Sequence, residues 1–114
     1  MAGRPFLFVR ARVRPAVLPE FRRWYRTVHV PHALAIPGIV EYRDFAYGPQ
    51  AAHGAPNVLS VFVFQDETVI QKALQSPEAE SARRDWERWE GDVRDLTIQI
   101  YAAFDIATTV RHLN

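Results

Sequence analysis

The sequence predicts an α+β domain in which four strands form one antiparallel sheet and two helices cover one of its faces. Three observations lead to this fold class. Runs of β-branched and aromatic residues recur four times along the chain. A segment with helical periodicity follows the first run, and another follows the third. A loop that contains Pro49, Gly54 and Pro56 separates two halves with the same element order, so the whole chain reads β-α-β-β-α-β.

Length and composition indicate one globular domain. The chain has 114 residues, of which 48% are hydrophobic and 24% charged, as is typical of a single domain. We therefore expect one domain over residues 1–114, with a core from about residue 5 to about residue 107 and a flexible C-terminal tail. Because the sequence has no cysteine, disulfide frameworks and thiolate metal sites are excluded. It shows no signal-peptide or membrane-span pattern, so we expect a cytoplasmic protein without a membrane partner.

The first half of the chain predicts a strand, a helix and a strand. Phe6–Val13, which is bounded by prolines, alternates in the manner of a strand. From residue 18 to residue 29 the period becomes helical, and one helical face carries Leu18, Phe21, Trp24, Tyr25 and Val28. Pro31 disfavours helical geometry at the residue before it, so the helix is expected to end or kink just after His29. The run over residues 39–47 predicts the second strand.

The second half predicts the same order. Val58–Phe64 is the most apolar run of the chain and predicts a strand. Asp66 is suited to cap a short helix that ends at Leu74, and Ser76, followed by a proline, is suited to begin a longer one. The buried stripe of that longer helix is predicted to comprise Ala82, Trp86, Trp89 and Val93. Thr97–Ile106 predicts the last strand. Two interleaved β-α-β units of this kind form the ferredoxin-like arrangement.

The sheet face that the helices leave open is predicted to be unusually apolar. On the first strand it carries Phe6, Phe8, Arg10 and Arg12. The alternation places Phe62 and Phe64 of the third strand, and Tyr101 of the last strand, on the same face. Because an exposed apolar patch marks an interaction surface, we expect a second copy to cover it across a two-fold axis, which gives a homodimeric α+β barrel. The lumen between the two sheets is then expected to hold a small hydrophobic or aromatic ligand.

RNA binding is the other function considered for this face, since the RNA recognition motif has the same element order. The basic-Gly-aromatic start of that motif's third strand is missing, and Asn57-Val58-Leu59-Ser60 stands in its place. The formal net charge is only +1, whereas phosphate binding needs a basic excess. We therefore expect no nucleic-acid partner.

Residues 21–42 carry a resemblance to a known family. The stretch Phe21–Pro31 holds an aromatic pair and then a histidine near the end of the first helix, and Ile36–Tyr42 holds a Pro-Gly that leads into the second strand. This pattern resembles the EthD-type branch of the dimeric α+β barrel superfamily. The resemblance implies a βαββαβ homodimer with a ligand cavity in or beside each half of the barrel.

Relatives in that superfamily include cofactor-independent monooxygenases, muconolactone isomerases, polyketide-tailoring enzymes and haem-degrading enzymes. The haem-degrading branch ligates iron through a histidine on the second helix, and residues 67–93 contain no histidine. The resemblance therefore implies a reaction without a cofactor, such as monooxygenation, isomerisation or lyase-type cleavage of a hydrophobic or aromatic compound. The alternative is a non-catalytic ligand-binding or assembly protein that uses the same sheet face.

His29 is the candidate catalytic residue. Its imidazole can act as an acid or a base near neutral pH, and it lies at the border of the apolar stripe, four residues after Tyr25. The other interpretation is a histidine that caps the last carbonyls of its helix. The spacing of His29 and His32 suits a metal on a regular helix. Pro31 stands between them and is expected to disrupt that geometry, so no metal site is predicted.

Further residues are candidates for ligand binding. If Arg10 faces the lumen, it is a buried cation that needs an anionic ligand or Glu41 as its partner. At the rim of the dimer it would reach water instead. Tyr25 and Trp86 each keep a polar tip that could border a pocket. The remaining candidates lie on the strands, namely Phe8, Tyr42, Phe62 and Tyr101.

Overall fold

The computed structural model of the chain describes residues 3–45 and 54–102. Four strands form one antiparallel sheet in the order β2-β3-β1-β4, with bounds β1 (Phe6–Val13), β2 (Ile39–Phe45), β3 (Val58–Phe64) and β4 (Val93–Tyr101). The helices are α1 (Leu18–Trp24), α2 (Val30–Leu34), α3 (Ile70–Leu74) and α4 (Pro77–Asp85). The predicted α+β, ferredoxin-like order is confirmed. Within the two described ranges, no helix combines the length and the apolarity that crossing a membrane requires.

The sequence predicted that the first helix ends or kinks just after His29, but the helix continues through Pro31. A π-helical turn, Tyr25–His29, joins α1 directly to α2, and the backbone N–H of Val30 donates to the carbonyl of Tyr25, five residues back. In a regular α-helix the proline ring would clash with the carbonyl four residues before it. The wider turn immediately before Pro31 lets the helix continue past it.

The π turn also changes which side chains face the sheet. The regular helical period predicted a buried Val28, whose exposed fraction is 36%. The next residue, His29, is only 4% exposed instead. Because a π turn holds more residues than an α turn, every side chain after it is rotated relative to the regular pattern. The candidate catalytic histidine is buried as a result.

The predicted face of β3 was wrong. Phe62 lies opposite Leu7 of β1, and Ser60 lies opposite Val9, so both point toward the helices. Every residue of β3 except Ser60 is apolar, so alternation alone could not orient the strand. Ser60 can be buried because the hydroxyl of Tyr25 donates to its Oγ at 2.9 Å. Phe62 therefore belongs to the core under the helices and not to the open face.

In the second half of the chain, two predicted caps are confirmed, and the predicted start of the last strand is wrong. Asp66 caps the turn before α3 by accepting from the backbone N–H of Thr68 at 2.8 Å, and Ser76 caps α4 by accepting from that of Ala79 at 3.1 Å. β4 begins at Val93, four residues before the predicted start, because it pairs with the end of β1. Most of the predicted loop over residues 48–57 and the end of the predicted last strand lie outside the described residues.

The open face of the sheet carries the expected apolar patch, but on two of its strands the residues that form the patch differ from the predicted ones. Six side chains line one continuous groove on this face, namely Phe6, Phe8, Phe45, Leu59, Val61 and Tyr101. We call this set the open-face groove. Leu59 and Val61 take the places that the sequence assigned to the phenylalanines of β3.

Candidate functional site

A cavity of about 200 Å³ lies between the sheet and the helices. We call it the inner cavity. The sheet contributes Leu7, Val9, Phe62 and Ile98 to its walls, and the helical side contributes His29, Ala33, Ala79, Ala82, Arg83 and Trp86. Three of the helical residues are alanines, and their small side chains leave the space open. The cavity therefore lies within one copy of the chain, on the opposite side of the sheet from the lumen that the sequence predicted.

His29 is positioned in the wall of the inner cavity by the π turn and by two tryptophans. Its ring stacks on Trp24 at a centroid distance of 5.6 Å and meets Trp86 edge-on at 5.2 Å. Its Nδ1 lies 3.1 Å from Oδ2 of Asp85 at the end of α4. Because a carboxylate only accepts hydrogen bonds, Nδ1 carries the proton, and Nε2 keeps the lone pair that can accept one.

Asp85 also forms a hydrogen bond with His32. Nδ1 of His32 lies 2.9 Å from the same Oδ2 atom, so one carboxylate oxygen accepts from both histidines. The helix is irregular before Pro31, as expected, but it stays continuous through the π turn, and both rings contact Asp85 of α4. In residues 3–45 and 54–102, no group of three or more His, Asp or Glu side chains is arranged to hold a metal ion.

Burial determines the protonation state of His29. Removal from water lowers the pKa of His29 below its ordinary value, and the hydrogen bond and the charge of Asp85 oppose this effect only in part. The ring is therefore neutral near pH 7, with its proton on Nδ1. A neutral imidazole that is oriented by a carboxylate and has a free Nε2 is suited to accept a proton.

Two tyrosines outside the inner cavity, one packed on His29 and the other on Phe62, stay protonated. Tyr25 packs against the His29 ring at 5.0 Å, and burial raises the pKa of its phenol. Tyr42 packs on Phe62 at 5.1 Å, and burial raises its pKa to about 12. The Tyr42 hydroxyl is buried and has no hydrogen-bond partner among the described residues. Neither phenol lines the inner cavity, so Tyr25 supports the wall behind His29 and Tyr42 supports it behind Phe62.

The structure divides the predicted site residues between the two faces of the sheet. His29, Phe62 and Trp86 line the inner cavity, with Tyr25 and Tyr42 behind them. On the other face, Tyr101 stacks on Phe6 at 5.5 Å and meets Phe8 edge-on at 6.1 Å. Arg10 is exposed on that same face. The expected cation of the ligand site is therefore not near His29.

Sequence reasoning missed two residues of α4 that matter here, Asp85 and Arg83. Asp85 follows Ala82 by three residues and directly precedes Trp86, so it borders the predicted buried stripe. A carboxylate at the border of a buried stripe indicates a polar partner on a neighbouring element, and this could have been recognised from the sequence. Nη2 of Arg83 donates to Oε2 of Glu80 at 2.7 Å, and the Arg83 side chain lines the inner cavity.

Neither a family model nor a curated protein matches this chain. Solved structures do share its fold. An ethyl tert-butyl ether D (EthD) family protein from Bacillus halodurans C-125 aligns with a TM-score of 0.70 and 20% identity, over 89% of this chain and 97% of that one. A dimeric ferredoxin-like protein of unknown function from Thermobifida fusca YX aligns with a TM-score of 0.62 and 18% identity, over 88% and 92%.

A third structure, a "putative monooxygenase" from Shewanella loihica PV-4, aligns with a TM-score of 0.61 and 13% identity, over 92% of this chain and 98% of that one. Sequence identities at this level establish a shared fold and leave the chemistry open. The chain therefore shares the ferredoxin-like fold of the EthD family protein and the other two structures, which is the fold that the resemblance in residues 21–42 implied.

Proposed function

We propose that this chain is a small-molecule-binding protein that works as a homodimer and binds a small hydrophobic or aromatic compound in the inner cavity. We further propose that it is an enzyme without a cofactor, in which His29 is the acid–base residue. The observation that carries this proposal is the buried His29, held by Asp85 through Nδ1, in the wall of an otherwise largely apolar cavity. A simple ligand carrier has no need of an oriented base, so the His29–Asp85 pair favours catalysis.

The size of the inner cavity suits one ring. An apolar cavity of about 150 Å³ is known to hold benzene, and the inner cavity measures about 200 Å³. The aromatic rings of Phe62 and Trp86 and the aliphatic side chains around them offer apolar contacts on opposite sides. A monocyclic aromatic compound, or an aliphatic compound of similar volume, would therefore fill the space.

The chemistry of this proposal begins with a proton transfer. Nε2 of His29 takes a proton from a carbon or oxygen of the bound compound, and Asp85 stabilises the imidazolium that forms. Isomerisation and lyase-type cleavage both start with this step. The similarity to the Shewanella loihica protein makes oxygenation of the resulting carbanion by molecular oxygen a third candidate reaction, in which one oxygen atom enters the product and the other leaves as water.

The homodimer part of the proposal rests on the open-face groove. A groove lined by phenylalanine, leucine and valine side chains is costly to leave in water. The similar protein from Thermobifida fusca is described as dimeric. A second copy that packs the same face across a two-fold axis would cover both grooves at once.

An NMR titration with benzamide tests the ligand site. We expect the backbone amide signals around the inner cavity, including those of Ala33, Ala82 and Trp86, to shift on addition of benzamide. Ala82→Leu fills part of the cavity and should abolish these shifts. Ala35→Leu, a matched change at an exposed alanine, should leave them intact. Shifts confined to the open-face groove, or equal binding by the Ala82→Leu variant, would contradict the proposal.

A further inference from the structure

We propose that Arg83 recognises an anionic group on the ligand, so that the compound bound in the inner cavity is a small carboxylate with a hydrophobic body. This inference rests on the proposed function and specifies its ligand class. It replaces Arg10, which the sequence suggested as the anion anchor and which lies exposed on the other face of the sheet.

The charge distribution around the inner cavity points to Arg83. The side chains that line it are apolar except for two, His29 and Arg83. His29 is neutral near pH 7 because it is buried, so it does not attract an anion. The Arg83 side chain lines the cavity and is 52% exposed, so it lies at the mouth, where the cavity opens to solvent. A charged ligand group bound there can stay partly hydrated while the rest of the ligand is buried.

The hydrogen bonds that Arg83 makes leave it able to bind a ligand. Of its five N–H groups, one donates to Glu80 at 2.7 Å and one reaches the carbonyl of Leu74 at 3.4 Å, beyond the usual length of such a bond. The Arg83–Glu80 pair is about half exposed and therefore weak. Glu80 also accepts from Nε of Arg84 at 3.2 Å, so it keeps a cationic partner if Arg83 turns toward a ligand.

The positions of the two polar side chains give the ligand a direction. Arg83 at the mouth would hold the carboxylate by paired N–H donors, the arrangement for which a guanidinium is suited. The hydrophobic body then lies inside, against Phe62 and Trp86, where His29 can reach it. The group that binds and the atom that reacts are thus at different places on the ligand.

Calorimetric titration with two probes of the same shape tests this inference. Benzoate and benzamide differ in charge, and their binding is compared at pH 7.5 and low salt in the wild type, Arg83→Gln and Arg84→Gln. We expect the wild type to bind benzoate at least about tenfold more tightly than benzamide. Arg83→Gln should lose this preference and keep its affinity for benzamide. Arg84→Gln removes a neighbouring charge that also pairs with Glu80 but does not line the cavity, and it should keep the preference.

The outcomes separate the two proposals. If benzamide binds and benzoate binds no more tightly, or if the Arg83 and Arg84 variants behave alike, the role of Arg83 is wrong and the ligand site stands. If neither probe binds to the wild type, both the ligand site and the role of Arg83 are contradicted.

Discussion

His29 combines burial with a carboxylate partner, and the two act on its proton in opposite directions. The surrounding tryptophans and Tyr25 exclude water and favour the neutral ring, while Asp85 favours the charged one. The first effect is the larger. His29 is therefore a base in its resting state, and a proton taken up during a reaction is accommodated by Asp85.

The first prediction concerns the titration of His29. In an NMR titration of the imidazole nitrogens, His29 should have a midpoint below its ordinary value of 6.5. Asp85→Asn removes the hydrogen bond and the charge that raise this pKa, so it should lower the midpoint further. Asp92→Asn changes a carboxylate that pairs with Arg14 instead and should leave His29 unchanged. A midpoint at or above 6.5, or a rise in Asp85→Asn, would show that the environment of His29 is misjudged.

A second prediction follows for stability against pH. The folded protein resists protonation of His29, whereas the unfolded chain takes up the proton with the ordinary pKa of 6.5. The free energy of unfolding therefore has its full value above pH 6.5, and it decreases as the pH falls from there toward the pKa of His29 in the folded protein. Each pKa unit between the unfolded and folded values of His29 corresponds to about 1.4 kcal/mol of unfolding free energy. In urea unfolding at pH 7.5 and 5.5, the wild type should lose more stability than His29→Gln, and an equal loss would refute the assignment.

The sequence could suggest His29 and Trp86 but could not show how they work. Trp86 lies on a helical stripe and His29 at the border of one, and such stripes are visible as a local period. The partner of His29, Asp85, is 56 residues away along the chain and contacts it only because α2 packs on α4. The proposed role of Arg83 in ligand binding likewise depends on which turn of α4 borders the inner cavity. The hydrophobic period of one helix does not contain that information.

Among the elements, the helix around the π turn and the strand β3 show two limits of periodic reasoning. Pro31 was correctly identified as incompatible with a regular helix, yet the chain adapts by widening the turn before it, and the helix goes on. β3 is apolar on both faces, so its orientation is decided by pairing with β1 and by the hydrogen bond from Tyr25 to Ser60. In both elements the type was predictable, and the facing of the side chains was not.

The turn that leads into β2 gives a third prediction. Gly38 has a φ of +97°, and a Cβ there would lie 2.7 Å from Cγ2 of Val69. Gly91 has a similar φ of +93°, but a Cβ there would meet no described atom within 4 Å. Gly38→Ala should therefore lower the free energy of unfolding by about 1 kcal/mol or more beyond the loss in Gly91→Ala, because it adds overpacking to the backbone strain.

Urea unfolding measures both glycine variants, and a second substitution identifies the cause. Val69→Ala removes Cγ2, the atom nearest the added Cβ, and keeps the Val69 Cβ at 2.9 Å, so it should recover only part of the loss in the Gly38→Ala background. Equal losses in the two glycine variants would show that the close approach to Val69 has no energetic consequence.

At the scale of the whole molecule, the open-face groove gives a fourth prediction. Light scattering at low micromolar concentration should report a mass about twice 13.1 kDa. Val61→Glu places a charge in the groove and should yield a folded monomer. Leu34→Glu changes an exposed leucine on the helical side and should remain dimeric. A wild type that is monomeric, or two variants with the same mass, would contradict the homodimer.

The overall fold was predictable because element order, capping residues and strand-like runs are all local features of the chain. The side of the sheet that carries the ligand site was not predictable in the same way. The sequence placed the site between two sheets, since the open face is apolar, whereas the structure has an empty volume beneath the helices. That volume exists because three alanines from two helices pack over the same part of the sheet. The two helices are far apart in the sequence, so the pattern of either one alone does not predict the cavity.

A crystal structure of the protein with benzamide tests the site most directly. The ligand should lie between the helices and the sheet, with its ring against Phe62 and Trp86 and in contact with the imidazole of His29. Electron density for benzamide only in the open-face groove, or on neither face, would contradict the central claim that His29 serves a ligand site inside each copy of the chain.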